Sequence, residues 1–162
     1  MNSKIGLKLL VVVICLTFTS PIYAQEADHN HHHHQYELGL ANSAVYFPKE
    51  KETAYGLHLH LIRNIKHSKL GFGLAYERIF DEHRHNTIGL VGSYNLFESM
   101  HISLSPGITF EDNEMSALRF AFHAEAAYGF NLGHLHLGPM LEFAFDPEHY
   151  HISVGLHVGY GF

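Results

Sequence analysis

Leu118-Arg119-Phe120-Ala121-Phe122-His123-Ala124-Glu125-Ala126-Ala127-Tyr128-Gly129-Phe130 alternates with a period of two, the repeat of a β-strand. One parity carries Leu118, Phe120, Phe122, Ala124, Ala126, Tyr128 and Phe130; the other carries Arg119, Ala121, His123, Glu125, Ala127 and Gly129. The C-terminal stretch repeats the pattern, with Ile152, Val154, Leu156, Val158, Tyr160 and Phe162 set against His151, Ser153, Gly155, His157, Gly159 and Gly161. Tyr55, Leu57, Leu59 and Leu61 likewise face away from Gly56, His58 and His60. A soluble sandwich or lipocalin-like barrel would bury its large face and show Lys, Glu and Thr outside. Here the alternate face is Gly, Ala, Ser and His, which suits a cramped interior. The pattern therefore predicts a transmembrane β-barrel, with large side chains toward lipid and small or polar ones filling a narrow lumen. Closure pairs every strand edge, as a bilayer demands.

The same alternation runs from Tyr36 to the end, broken by short polar clusters such as Pro48 to Glu52 and Lys66 to Lys69. Eight antiparallel strands are expected, at about 36–47, 53–65, 70–80, 87–96, 100–110, 116–131, 134–145 and 151–162. An even number permits closure. Three places strain the register. Asn42 falls on the apolar parity of Tyr36, Leu38 and Leu40, so a bulge near Asn42-Ser43 is expected, handing the lipid face to Val45 and Phe47. Pro106 and Pro139 each remove a ladder donor and predict bulges or bends.

Ahead of the barrel, Lys4 and Lys8 precede the apolar run Leu9 to Phe18, and Pro21-Ile22-Tyr23-Ala24 ends on a small residue. Residues 1–24 read as a cleaved secretory signal peptide, which also carries the single cysteine, Cys15. Residues 25–35 are polar and aperiodic, a flexible His-rich leader, and 36–162 form the barrel. Of the 10 basic residues, Lys4 and Lys8 leave with the signal; 8 remain against 16 acidic ones, so the mature chain carries minus 8. That balance disfavours nucleic acid as a partner. Without a thiol, disulfides and thiolate metal sites are excluded for the mature chain.

On these residues the chain resembles the small eight-stranded bacterial outer-membrane barrels, the architectural group of the OmpA membrane domain and OmpX. The most specific element is the C-terminal strand, Val154-Gly155-Leu156-His157-Val158-Gly159-Tyr160-Gly161-Phe162, which ends on phenylalanine. The resemblance implies a monomer in the outer membrane of a Gram-negative bacterium. Its partners would be membrane lipid, lipopolysaccharide and, during biogenesis, the barrel-assembly machinery. It also implies periplasmic termini, so that the connections near 48–52, 81–86, 111–115 and 146–150 face outward. All four are short, which lowers receptor and adhesin readings. An eight-stranded lumen is filled by side chains, so a general diffusion pore is not expected.

Histidine is the compositional anomaly: all 17 lie beyond the signal. His29, His31, His32, His33 and His34 in the leader offer clustered imidazoles for zinc, copper or nickel. A second set, His58, His60, His123, Glu125 and His157, points inward at middle depth and is the candidate lumenal metal site. The competing reading of that set is a polar plug, in which Arg119 pairs with Glu77, Glu125 and Glu142. A third set marks the outer rim: Asp81, Glu82, His83, His85, Glu111, Asp112, Glu114, Asp146, Glu148, His149 and His151. Two readings compete: solvated loop charge, or a site that holds a divalent cation or bridges to lipopolysaccharide phosphates, with Arg78 and Arg84 contacting phosphate directly.

The sequence also offers an enzymatic reading. His151-Ile152-Ser153 resembles the His-x-Ser element of outer-membrane lipid A deacylases, with Glu142 or Glu148 as the orienting acid. Val154 stands where that family has asparagine, and His101-Ile102-Ser103 repeats the tripeptide at the other end of the barrel. The expectation is thus a non-enzymatic barrel with histidine-based metal binding, the alternatives being a ligand-free structural barrel and a deacylase-like hydrolase.

Overall fold

The computed structural model describes residues 34–97, 99–112 and 114–162; the signal peptide and the leader histidines His29, His31, His32 and His33 lie outside them. The strands are β1 (Tyr36–Phe47), β2 (Glu52–Asn64), β3 (Leu70–Ile79), β4 (His85–Phe97), β5 (Met100–Glu111), β6 (Glu114–Tyr128), β7 (Phe130–Leu132), β8 (Leu135–Phe145) and β9 (Tyr150–Gly161). They hydrogen-bond in the order β6-β5-β4-β3-β2-β1-β9-β8-β7, and β6 also pairs with β8, which closes the sheet on itself. β7 continues β6 beyond Gly129, so nine segments make eight staves. Every pairing is antiparallel, and consecutive staves are joined by short hairpins. In the tightest of these Leu132 pairs with Leu135, and Gly133 takes φ +70°, the positive value that the first central position of a type II′ turn requires.

The faces are inverted relative to a soluble protein. Leu90 is 64 % exposed and Leu118 61 %, whereas Glu142 and His157 are each 1 % exposed. The outward parity forms a continuous apolar wall, and the chain is a transmembrane β-barrel. Aromatic side chains gather at both ends of that wall. Tyr36 stacks on Phe162 near the chain termini, while Tyr55 packs on Phe80 near the opposite mouth. Leu, Ile and Val occupy the belt between them, the layering that places aromatic rings at the two interfaces of a bilayer.

Strand β1 departs from the expected path. Its pairings with β2 and β9 run without a bulge through Asn42, so parity is kept to the end. Val45 and Phe47 therefore point inward, at 0 % and 4 % exposure, and pack on Ile79 beneath the β1–β2 hairpin. Asn42 stays half-buried on the outer face, and Ala44 and Tyr46 continue the lipid side. An uninterrupted antiparallel ladder offers the strand no place to change face, and the three apolar side chains satisfy one another inside.

The two prolines interrupt pairing without shifting it. Beside Pro106 the β4–β5 ladder lapses at Leu90 and Val91 and resumes in the same register, and β5–β6 runs straight through. Opposite Pro139 the stave breaks between β6 and β7, again with register kept. The actual register shifts lie between Asn95 and Phe97 and between Thr109 and Glu111, near the barrel ends, where turns rather than prolines set the geometry.

Candidate metal centre

The inward parity delivers a polar lumen, and strand stagger decides which groups meet. In the ladder His123 of β6 lies opposite Ala144 of β8, which lies opposite His151 of β9. One small residue thus separates two imidazoles, whose ring centroids are 5.9 Å apart. In the next inward-facing row Glu125 lies opposite Glu142, and Glu142 opposite Ser153. His58 and Glu77, paired with each other on β2 and β3, face this group across the barrel.

Four side chains converge. His123 Nδ1 is 3.5 Å from Glu77 Oε2 and 3.5 Å from Glu142 Oε2. His151 Nε2 is 3.9 Å from Glu77 Oε2 and 3.8 Å from Glu142 Oε1. One ligand atom from each of the four lies within 4.8 Å of all the others. Glu142 is shared with a neighbouring set, in which His58 Nδ1 sits 3.2 Å from Glu142 Oε2 and 3.5 Å from Glu125 Oε2. Glu77 Oε2, Glu142 Oε2, both Glu125 oxygens, both His58 nitrogens and His151 Nε2 are buried without a hydrogen-bond partner among the described residues.

The charge balance is unusual. Among the described residues the buried carboxylates are Glu77, Glu125 and Glu142, and no buried side chain is lysine or arginine. Arg119 does not enter this layer: it binds Glu111 at 2.6 Å and Glu148 at 2.9 Å on the rim. The expected Arg119 plug is absent because Arg119 lies three inward-facing positions along β6 from Glu125, toward the connection to β5, where Glu111 and Glu148 meet it instead. Only imidazolium or a bound cation can then compensate the three carboxylates.

The five lumenal residues singled out in the sequence do not form one site. His123 joins the quartet with Glu77, Glu142 and His151; His58 and Glu125 form the adjoining set; His60 and His157 lie lower, nearer the termini, their rings stacked at 5.1 Å. Strand tilt offsets residues that sequence counting puts at equal depth. Glu37, His101 and His136 also point into the lumen, and only their parity in the sequence signalled it. His34 is the one leader histidine described, with its ring 4.6 Å from that of His134.

The rim set disperses into local pairs. His85 Nδ1 lies 2.6 Å from Asp81 Oδ2, and although burial pushes the Asp81 carboxyl up, this hydrogen bond holds it below the usual range. Asp112 turns to the outer wall, where Asn86 donates to it at 2.8 Å and Arg78 at 2.7 Å; the two together outweigh slight burial and lower its carboxyl. Arg78 is thereby occupied, and Arg84 reaches the same carboxylate at 4.0 Å. Among the described residues every three-ligand grouping lies inside the barrel rather than on its rim.

His151 and Ser153 both point inward. Ser153 is 0 % exposed, and its hydroxyl donates to Glu142 at 3.4 Å, remote from the lipid-facing wall. Glu148, the other candidate acid, is held by Arg119.

No protein-family model and no curated protein sequence matches the chain. Solved structures do match in fold. Neisserial surface protein A is similar at 12 % identity and TM-score 0.53, over 78 % of this chain and 96 % of that one. A de novo designed transmembrane β-barrel matches at 14 % identity and TM-score 0.52, over 76 % and 94 %. The designed TMB2.3, solved by solution NMR, matches at 11 % and 0.51, over 80 % and 94 %. At such identities the likeness concerns architecture, and it is a membrane-barrel architecture in all three cases.

Proposed function

We propose that this protein is a monomeric barrel of a Gram-negative outer membrane that binds a divalent transition-metal ion inside its lumen, with Glu77, His123, Glu142 and His151 as ligands. The observation that carries the reading is the spacing of those four buried groups. A tetrahedral zinc ion with ligands about 2.1 Å away holds them about 3.4 Å apart, and the four imidazole–carboxylate separations, those to Glu142 made to its two different oxygens, run from 3.5 to 3.9 Å. Two nitrogens and two carboxylate oxygens suit zinc, with copper and nickel as competitors. A divalent ion also offsets the buried carboxylates that lack a basic partner. In this reading residues 1–24 direct export, the barrel-assembly machinery inserts the chain, lipopolysaccharide surrounds the outer end, and the leader histidines His29, His31, His32, His33 and His34 collect metal nearby.

The test uses the full mature chain in detergent, with His29, His31, His32 and His33 replaced by Asn to silence the leader. Zinc titration is expected to give micromolar or tighter binding that His123→Ala removes. No binding in this background would confine any metal role to the leader, and the lumen would then be a ligand-free structural plug.

A further inference from the structure

The lumen carries a second grouping, nearer the chain termini, that the proposed zinc site does not use. It is built on four neighbouring staves in the order β2-β1-β9-β8. In the ladder His60 lies opposite Gly39, Gly39 opposite Gly159, and Gly159 opposite His136. Two glycines thus form a floor between two imidazoles. A Cβ at Gly39 would run into His60 and His157, and one at Gly159 into His136, so the rings lie over the bare backbone. Two residues from the glycines stand Glu37 and His157.

These side chains face one another. Glu37 Oε1 lies 3.4 Å from His136 Nε2 and 3.5 Å from His60 Nε2. One ligand atom each from Glu37, His136 and His157 falls within 4.8 Å of the other two. The His157 ring is centred 5.1 Å from both the His60 and the His136 rings. His157 is 1 % exposed, yet neither of its nitrogens has a hydrogen-bond partner among the described residues; the same is true of His60 Nε2 and His136 Nε2. A neutral imidazole always presents one N–H and one lone pair, so a buried ring with both unmet is costly unless something binds there. Glu37 and His136 are 21 % and 17 % exposed at their side chains, which leaves the group reachable from the terminal mouth.

We propose that Glu37, His60, His136 and His157 form a second, separate metal site, opening to the terminal mouth and taking copper(II) in preference to zinc. Three imidazoles and one carboxylate make it richer in nitrogen than the quartet above; imidazole suits copper, and the general order of divalent first-row affinities places copper(II) above zinc. The two sites share no ligand, so this inference stands independently of the upper one.

The experiment measures copper and zinc bound per chain in the full mature protein, with His29, His31, His32 and His33 replaced by Asn. Two metal equivalents are expected. Glu37→Gln combined with His136→Asn should remove one and leave zinc at the upper site, while His123→Ala should remove the other. Electron paramagnetic resonance of bound copper should show couplings from three imidazole nitrogens, reduced to two in His157→Asn. Gly159→Ala deletes no ligand but pushes on the His136 ring, and should weaken copper at least about tenfold while the barrel still migrates as a folded species. No copper bound by the starting protein, or copper binding unaltered in Glu37→Gln with His136→Asn, would overturn the proposal. If His123→Ala changes nothing while the lower variants lose copper, the upper site fails and this one stands.

Discussion

Replacing Glu142 by glutamine separates a metal-bound lumen from a self-satisfied plug, because the two give opposite signs. Glu142 is 1 % exposed and faces His58, His123 and His151, while a ligand oxygen of Glu77 lies within 4.8 Å of it. At that separation two like charges repel by about 3 to 4 kcal/mol when the effective dielectric constant is about 20. In metal-free protein at pH near 8, if no imidazolium compensates Glu142, Glu142→Gln should therefore be neutral or stabilising. With zinc present at about 100 times its dissociation constant the native protein should gain about 2.7 kcal/mol, and the variant should gain almost none. Denaturant unfolding in detergent, run with chelator and with zinc, reads both increments. If the lumen is instead held by imidazolium–carboxylate pairs, breaking them should cost about 3 to 5 kcal/mol without any metal. A chelated Glu142→Gln barrel destabilised by that amount, or one whose zinc increment equals the native one, refutes the reasoning.

Metal affinity should fall as pH drops below about 6 to 6.5, since protons compete for imidazole, and equilibrium dialysis across that range checks it; a flat profile would exclude histidine ligands. Leu90→Arg puts a charge on the middle of the lipid wall, where Leu90 is 64 % exposed, and should cost about 2 to 4 kcal/mol of folding stability in lipid vesicles. Asp81 has its carboxyl lowered, so its contribution is present above the ordinary aspartate value of about 3.9 and is lost as pH falls through the lower folded value. Acid titration of the native barrel, followed by the His85 ring NMR signals, should show that loss, and Asp81→Asn should remove the transition.

The barrel was legible in Leu118 to Phe130 and in His151 to Phe162 because a bilayer enforces a strict period of two, and the inward parity of His58, His60, His123, Glu125 and His157 came with it. What the alternation does not carry is depth. Which inward residues meet depends on the stagger between staves, and this sends His123 to Glu77 and His151, and His157 to Glu37 and His136. Glu142 and Glu77 are legible as interior carboxylates, but the pairing with Arg119 fails because that side chain sits further along β6 and meets Glu111 on the rim. Val45 and Phe47 were misplaced for a different reason. Apolarity alone points them to the lipid face, whereas an unbroken ladder keeps them inside, packed on Ile79. Gly39 and Gly159 read as filler for a narrow lumen, although their place in the ladder, between His60 and His136, makes them the floor of a site.

The most direct test of a metal-holding lumen is zinc-edge X-ray absorption on the full mature protein with His29, His31, His32 and His33 replaced by Asn, loaded with one equivalent of zinc. The account predicts a four-coordinate nitrogen and oxygen shell about 2.0 to 2.1 Å from the ion, with outer-shell scattering from two imidazole rings that disappears in His123→Ala with His151→Ala. A six-oxygen shell without imidazole scattering, or zinc lost on passage through a desalting column, would contradict it.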